Sequence, residues 1–502
     1  MRERVSMSVA TPGTGSGAFA WRRALVYGWG LSGRAAAELL ADRGCAILAV
    51  EDGKVPEEIA LRGADGSPVE LVARRADQVE ELPGDVDLVV VSPGVPQDRP
   101  LLRAARERGV TTVGELELGS RAAGSEMVAI TGSNGKSTTT ELTGALLRAA
   151  GHEALVCGNI GLPLSRCALR ARSEPESAGQ PRVYVVEVSS FQLETVEGFR
   201  PRVAALLNLS PDHIDRHGSY AAYAAAKRRL FERQGSGDVA VLNADDAAVA
   251  STELPPKVRR RLFSRLGPVE DGAHLVVGEG TSGEGGERRT VVLEPGGEPV
   301  VGLDEIRLRG EHNAENVLAA CAIADAYLAG AQRHRLAAAL RSFAGLPHRM
   351  QRIAEVAGVE WFDDSKGTNV GATVKSLEGF CERQVHLILG GTGKGADFTG
   401  LRQPVERAAR RVYLIGTSAD QIAGTLEGVV PIERCGDLET AVRSAAARAR
   451  SGEAVVLSPA CASFDQFRDY AHRGEVFQQL VQGLSGAEGG AAGTVGTEVG
   501  DG

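Results

Sequence analysis

Lysine is nearly missing from this chain: Lys54, Lys136, Lys227, Lys257, Lys366, Lys375 and Lys394 are all that occur in 502 residues, and arginine carries most of the positive charge. A lysine kept against that background points to a need for a compact ammonium or a nucleophilic amine, the alternative being chance survival of a codon bias. A basic surplus is also lacking, because the formal net charge is −9. That excludes a broad nucleic-acid or anionic-membrane surface but not a phosphorylated small substrate gripped by local loops. The seven cysteines form no C-x-x-C pair and read as reduced thiols. No apolar run approaches the length of a membrane span, and the Ser/Gly/Thr-rich residues 1–20 lack a signal-peptide core. A cytoplasmic monomer with no nucleic-acid or membrane partner is expected.

What is present suits large cores. Hydrophobic residues make up 43% and charged residues 24%, ordinary values for a globular protein, in a chain too long for one core. Apolar runs alternate with helical stretches throughout, which predicts an α/β protein of three domains. The expected division is an N-terminal extension over 1–20, a Rossmann-like domain over 21–122, a P-loop ATPase-like parallel-sheet domain over 123–345, a second Rossmann-like α/β domain over 346–484 and a flexible tail over 485–502.

The most informative stretch runs from Glu126 to Thr138, a buried strand turning through a Gly-rich loop into a helix. Backbone N–H groups of such a loop and the helix N-terminus attract polyphosphate, a lysine adds a mobile cation, and a following hydroxyl can ligate Mg²⁺. Gly132, Ser133, Asn134, Gly135, Lys136, Ser137 and Thr138 are therefore candidate ATP-binding residues, with Ser137 a candidate Mg²⁺ ligand. The general G-x-x-x-x-G-K-[ST] pattern would place glycine at 130, where Ile130 stands, so a plain surface turn is the alternative. The apolar run before the loop and the helical run after it favour the binding loop.

A second Gly-rich turn, Gly28-Trp29-Gly30-Leu31-Ser32-Gly33, follows the apolar run from Ala24, and the next predicted strand ends at Glu51-Asp52. That is the layout of a dinucleotide-binding fingerprint, although such a turn can also bind nothing. Farther on, Glu187 ends an apolar strand, where a carboxylate is costly unless paired or facing a cation such as Mg²⁺; an exposed edge or a salt bridge is the alternative. His213 lies in Asp212-His213-Ile214-Asp215 at the ligand-binding end of the sheet, where metal or substrate contact competes with an ordinary surface histidine. Lys227, alone, reads as part of an exposed basic helix face with Arg228 and Arg229.

Taken in order, the Gly28–Gly33 turn, Thr131–Thr138, Gly158-Asn159-Ile160-Gly161, Glu187–Glu194, Asp212–Asp215, Lys227, Glu311-His312-Asn313 through Asn316, Leu346-Pro347-His348-Arg349, Asp363–Asn369, Gly390–Lys394 and Leu457–Phe467 resemble the Mur ligases. These are the ATP-dependent amino-acid-adding enzymes of peptidoglycan synthesis, and the resemblance extends from about Leu25 to Leu484. It is greatest to the branch that joins D-glutamate to UDP-N-acetylmuramoyl-L-alanine, chiefly through Asp364–Asn369 and Ser458–Asp465.

The resemblance implies that the first domain holds UDP rather than NAD, with Leu31, Ser32, Asp52, Ser92 and Gly94 as contacts. It further implies that Asn159, Ser190 and Gln192 hold the rest of that substrate. Lys136, Glu187, His213 and Lys227 would be the catalytic group. Ser137 and Glu187 would take one Mg²⁺, and His213 and a carbamylated Lys227 a second, with Arg228 and Arg229 favouring the carbamate. Asn316, Arg349 and Asp364 would contact adenine and ribose, and Lys366, Thr368, Lys394, Ser463 and Phe464 would face D-glutamate. Gly367 stands where relatives often have Ala, and Thr392 where an acid is common. A ligase for another amino acid, or an NAD-dependent dehydrogenase built on the first turn, is the rival reading.

Overall fold

The computed structural model describes residues 21–53, 60–174, 179–279, 287–308, 310–380, 384–393 and 396–489. The expected extension over 1–20 and most of the expected tail lie outside the described residues, although the last helix, Tyr470–Gly489, continues past Ser485. Three large sheets account for the described chain, with five, nine and six strands. Contacts group them into two compact units: the first includes the chain up to Arg307 together with Glu311–Phe343 and so holds two sheets, and the second includes Leu308–Gly310 and the chain from Ala344 onward.

The first sheet is parallel throughout, ordered Leu71–Arg75, Ala46–Glu51, Arg23–Tyr27, Leu88–Val91, Thr111–Gly114. Its central strands read as continuous apolar runs because both faces are covered. The turn after Arg23–Tyr27 needs its glycines: a Cβ on Gly33 would stand 1.9 Å from Gly28 O, and Gly28 itself has φ +89°.

The nine-stranded sheet has Glu126–Thr131 between Val203–Leu206 and Arg182–Glu187, all parallel. Such a reversal of strand order opens a crevice beyond the carboxyl ends of the strands. The helix Lys136–Ala149 follows directly, beginning at Lys136 rather than at Thr138, so Lys136 and Ser137 both lie in its first turn. Against it packs the Ala-rich helix Glu311–Leu328, buried on nearly all faces. The glycine- and glutamate-rich region from 264 to 310 extends the same sheet: Gly272–Glu279 pairs parallel with Arg259–Ser264, and Glu287–Glu294 and Glu298–Gly302 follow with antiparallel pairing.

In the second unit Val359–Asp363, Ala454–Leu457, Val385–Gly390, Ala409–Ile415 and Ile432–Gly436 run parallel, with Gln351–Val356 antiparallel at one edge. Asp364 and Ser458 thus leave neighbouring strands at the same end of this sheet.

Candidate active site

Gly135 adopts φ +79° as the N-cap of the helix Lys136–Ala149, a left-handed conformation natural to glycine. A second demand also fixes it: a Cβ there would lie 2.2 Å from Asn316 Oδ1. Asn316 reaches the loop from the buried helix, accepting from Thr139 Oγ1 at 3.3 Å and donating to Asn313 Oδ1 at 3.1 Å.

The opposite wall comes from the segment after Val203–Leu206. Asn208 exchanges hydrogen bonds with the Asn134 backbone, accepting from its N–H at 2.8 Å and donating to its carbonyl at 3.2 Å. Ser133 Oγ meets Tyr223 OH at 2.8 Å and donates to Ser210 O at 3.0 Å. Tyr223 was not among the sequence-predicted site residues. The loop is therefore held open by its surroundings before any ligand arrives.

Lys136 Nζ donates to Gly132 O and Ser133 O at 2.9 and 3.0 Å, folded over the loop it would share with phosphate. Lys227 is 2% exposed, and its Nζ donates to Gly132 O at 2.8 Å and lies 4.9 Å above the Tyr223 ring. The exposed basic face that the local sequence suggests for Lys227 is thereby corrected. Its pKa is pulled down to about 7, first by burial and next by the charge of Lys136, against the opposing pull of Asp212 and Glu187. Arg228 and Arg229 do not act on it as expected. The first donates to Ala248 O and the second to Glu194 O and Val196 O while also pairing with Glu232 Oε2 at 3.6 Å, so both guanidinium groups are engaged elsewhere.

Glu187 is 1% exposed, which rules out the edge-strand alternative. Asn159 Nδ2 donates to its Oε1 at 2.7 Å, while Oε2 is buried with no hydrogen-bond donor among the described residues. A buried, half-satisfied carboxylate is costly in isolation, and a divalent cation is the partner that suits it. Ser137 is buried in the first turn of the helix Lys136–Ala149. Thr138 is partly exposed beside it.

His213 sits at φ +51° with its imidazole half exposed, 3.5 Å from Asp212 Oδ2 and packed on Phe191 at 4.9 Å between ring centroids. Among the described residues no group of three or more His, Cys, Asp or Glu is arranged to hold a metal. His217, which sequence reasoning missed, is the buried histidine here, bridging Ser190 Oγ at 3.0 Å and Glu194 Oε1 at 3.3 Å. Gln192, expected to face substrate, turns back to accept from the backbone N–H and hydroxyl of Ser189 at 2.9 and 3.0 Å. Arg216 joins this segment to the first sheet, donating to Glu194 Oε2 at 3.1 Å and to Val95 O at 3.0 Å.

Around the first Gly-rich turn, Leu31 is 70% exposed, unusual for leucine, and Ser32 is partly exposed next to it. Ser92 Oγ donates to Gly28 O at 2.7 Å, and Gly94 is exposed two residues on. Asp52 accepts from Tyr27 OH at 2.7 Å and pairs with Arg99.

In the second unit Asp364 is 6% exposed and accepts from Ser376 Oγ and Ser458 Oγ, both at 2.6 Å, and from Met350 N at 3.2 Å. Burial still raises its pKa to about 6. Gly367 lies against this cluster, so a Cβ would stand 2.6 Å from Asp364 Oδ2. Arg349 is exposed, Lys366 Nζ lies 5.4 Å over the Tyr470 ring, and Thr368 N donates to Lys366 O at 2.8 Å. Ser463 is buried, and its neighbour Phe464 is 65% exposed. Thr392 pairs through its backbone with Ala462, at 2.8 and 3.1 Å, joining the glycine loop to the Ser463 segment. Lys394 lies outside the described residues.

Comparison with known proteins agrees with this geometry. Residues 130–324 match the Mur ligase middle domain, and residues 348–461 match the Mur ligase glutamate ligase domain. The chain belongs to the Mur ligase family. It is 41% identical over 472 residues to the UDP-N-acetylmuramoylalanine--D-glutamate ligase of Koribacter versatilis, covering 93% of this chain and 98% of that one. Its identity to the enzyme of the same name from Solibacter usitatus is 42% over 462 residues, covering 92% and 98%. Among solved structures, UDP-N-acetylmuramate-alanine ligase from Thermotoga maritima shares the fold at a TM-score of 0.56 and 18% identity, with 92% of this chain and 99% of that one covered. No described helix is long and apolar enough to cross a membrane.

Proposed function

We propose that this protein is the ligase that joins D-glutamate to UDP-N-acetylmuramoyl-L-alanine with consumption of ATP, as a step in making peptidoglycan precursors. The observation that carries the reading is nearly full-length likeness to two D-glutamate ligases at 41% and 42% identity. The phosphate loop with its two buried-side lysines supports it independently.

The substrate's alanyl carboxylate attacks the γ-phosphorus of ATP, the bond to the bridging oxygen breaks, and ADP leaves. The D-glutamate amine then attacks the acyl-phosphate carbonyl, loses a proton and expels orthophosphate, leaving an amide. Bringing two anions together is the physical obstacle, and preorganised cations and amides are the remedy. Lys136 neutralises transferring phosphate, and the first-turn N–H groups with Ser137 receive the phosphate oxygens. Mg²⁺, when bound, screens phosphate charge. Glu187 Oε2, buried and unmatched, suits that ion, and Asn159 holds the carboxylate in place. Burial and Lys136 draw the Lys227 pKa down to about 7, which favours the neutral amine that takes up CO₂; the carbamate oxygen would then serve as a donor alongside His213.

In this reading the first sheet is a Rossmann-like module that takes the UDP part through Leu31, Ser32, Asp52, Ser92 and Gly94, and the second is a P-loop module. Asn159 and Ser190 face the muramoyl part, whereas Gln192 supports Ser189. Asn316, Arg349 and Asp364 serve the nucleoside of ATP, and Lys366, Thr368, Ser463, Phe464 and Lys394 serve D-glutamate. The test is orthophosphate release by the purified chain with ATP, Mg²⁺, UDP-N-acetylmuramoyl-L-alanine and a panel of L- and D-amino acids. Release dependent on D-glutamate is expected; dependence on another amino acid, or none, overturns the assignment.

A further inference from the structure

The order of the first sheet reverses beside Arg23–Tyr27, which has Ala46–Glu51 on one side and Leu88–Val91 on the other. Asp52 follows the first flank, and Arg99 lies at the end of the loop that follows the second. Their side chains nevertheless meet, the Arg99 guanidinium donating to Asp52 Oδ2, so the arginine reaches across the end of the middle strand and its glycine turn. Tyr27 OH occupies the other carboxylate oxygen at 2.7 Å and fixes the direction of Asp52. The two side chains are 40% and 38% exposed, leaving the pair open to exchange.

The surrounding charge gives this bridge a purpose. Glu51 stands next to Asp52, its oxygens capping Trp29 N at 2.7 Å and Asp52 N at 2.9 Å. A diphosphate resting on the N–H groups that open the helix Leu31–Asp42 would meet both carboxylates. The N-cap, Gly30, has no side chain to offer, and Arg34 Nε is already directed to Trp29 O at 3.1 Å. Arg99, by contrast, holds an exposed partner that contributes little net free energy, and its Nε is buried with no acceptor among the described residues.

We propose that Arg99 is a phosphate clamp: Asp52 holds it across the crevice at rest, and an entering nucleoside diphosphate takes the guanidinium over through its phosphate oxygens. A guanidinium matches two such oxygens at once, which an ammonium does not. The transfer removes the cation from Asp52 as the ligand seats. This rests on the reading of the first sheet as the place for the UDP part.

Calorimetric titration of the full chain with uridine, UMP and UDP tests it. The readout is the ratio of UDP to uridine affinity, which cancels any contact Asp52 makes with the base. Losing a charge-assisted contact corresponds to about tenfold or more in that ratio, so R99A should reduce it by that amount, with R99K intermediate. D52N, which weakens the resting hold on the guanidinium, should raise it, and a lowered ratio counts against the clamp. Circular dichroism verifies folding, and R99Q, which keeps a neutral hydrogen bond to Asp52, replaces R99A if the latter unfolds. An unchanged ratio in the folded arginine variant overturns the clamp alone. Failure of the unaltered chain to bind UDP overturns both the clamp and the reading beneath it.

Discussion

Lys136 and Lys227 donate to the same carbonyl oxygen, that of Gly132, at 2.9 and 2.8 Å. Two ammonium groups converging on one acceptor repel each other. Burial first, and this repulsion second, draw the Lys227 pKa from 10.5 down to about 7. The neutral amine, the form that reacts with CO₂, is present on the acid side of ordinary lysine behaviour.

Carbamylation of Lys227 should therefore rise as pH climbs through about 7, well below the 10.5 of a free lysine. ¹³C-NMR of the protein in ¹³C-bicarbonate reads this directly. Lys136→Met should move the midpoint upward by removing the neighbouring charge, and a midpoint that does not move would dismiss the coupling. Lys227→Ala should lose most ligase activity, with partial recovery in bicarbonate or a short carboxylate; full activity without added anion contradicts the carbamate role.

Asn159 acts through Glu187, whose Oε1 it holds at 2.7 Å. Removing a group that orients a metal ligand typically costs about 10–100-fold in metal affinity or activity. Asn159→Ala should raise the Mg²⁺ concentration for half-maximal activity by a factor in that range, whereas Glu187→Ala should abolish the measurable dependence. Asn159→Asp should be at least as damaging, since it sets a second carboxylate against the first. A Mg²⁺ titration unchanged in Asn159→Ala would remove this role.

Glu115 gives the folded chain a pH dependence of its own. It is 1% exposed, accepts from Ser165 N at 2.6 Å, and burial lifts its pKa from 4.5 to about 7. With the folded pKa raised, the folded state binds the extra proton. Its contribution is fully present below about 4.5 and is lost as pH rises through about 7. The displacement corresponds to roughly 3 kcal/mol as an order of magnitude. Denaturation midpoints should therefore fall between pH 5 and 7.5 in the unaltered protein and fall less in Glu115→Gln. Parallel curves would refute this.

Gly367→Ala should destabilise the second unit, because the new Cβ would lie 2.6 Å from Asp364 Oδ2, an oxygen held by two hydroxyl groups. Overpacking of this kind costs about 1–3 kcal/mol. Its signature is a lowered melting temperature, together with a shift in the titration of Asp364. An unchanged melting temperature would mean that the carboxylate and its hydroxyl partners can give way without cost.

Both phosphate-turn strands, the helix behind Lys136 and the strand ends carrying Glu187 and Asp364 were legible in the sequence, because each combines an apolar run with an abrupt polar residue. The partners that shape the site were not. Asn316 against Gly135, Asn208 against Asn134 and Tyr223 against Ser133 join residues far apart in the chain, and no local spacing encodes which strands become neighbours. Arg228 and Arg229 misled for the same reason: adjacency to Lys227 along a helix does not say which way a long side chain turns. Short β-prone pieces such as Thr290–Leu293 marked hairpins amid the glycine and glutamate after residue 264, but not that those hairpins continue the central sheet.

Arg216 spans from the segment bearing His213 to Val95, in the loop beside the first glycine turn. Under the proposed function, one guanidinium thus tethers the place assigned to the carrier end of a long substrate to the place assigned to its reacting end. Damage near Val95 should accordingly emerge as sluggish turnover even where affinity for the carrier is intact, and a screen that scores binding alone would pass such a variant as healthy.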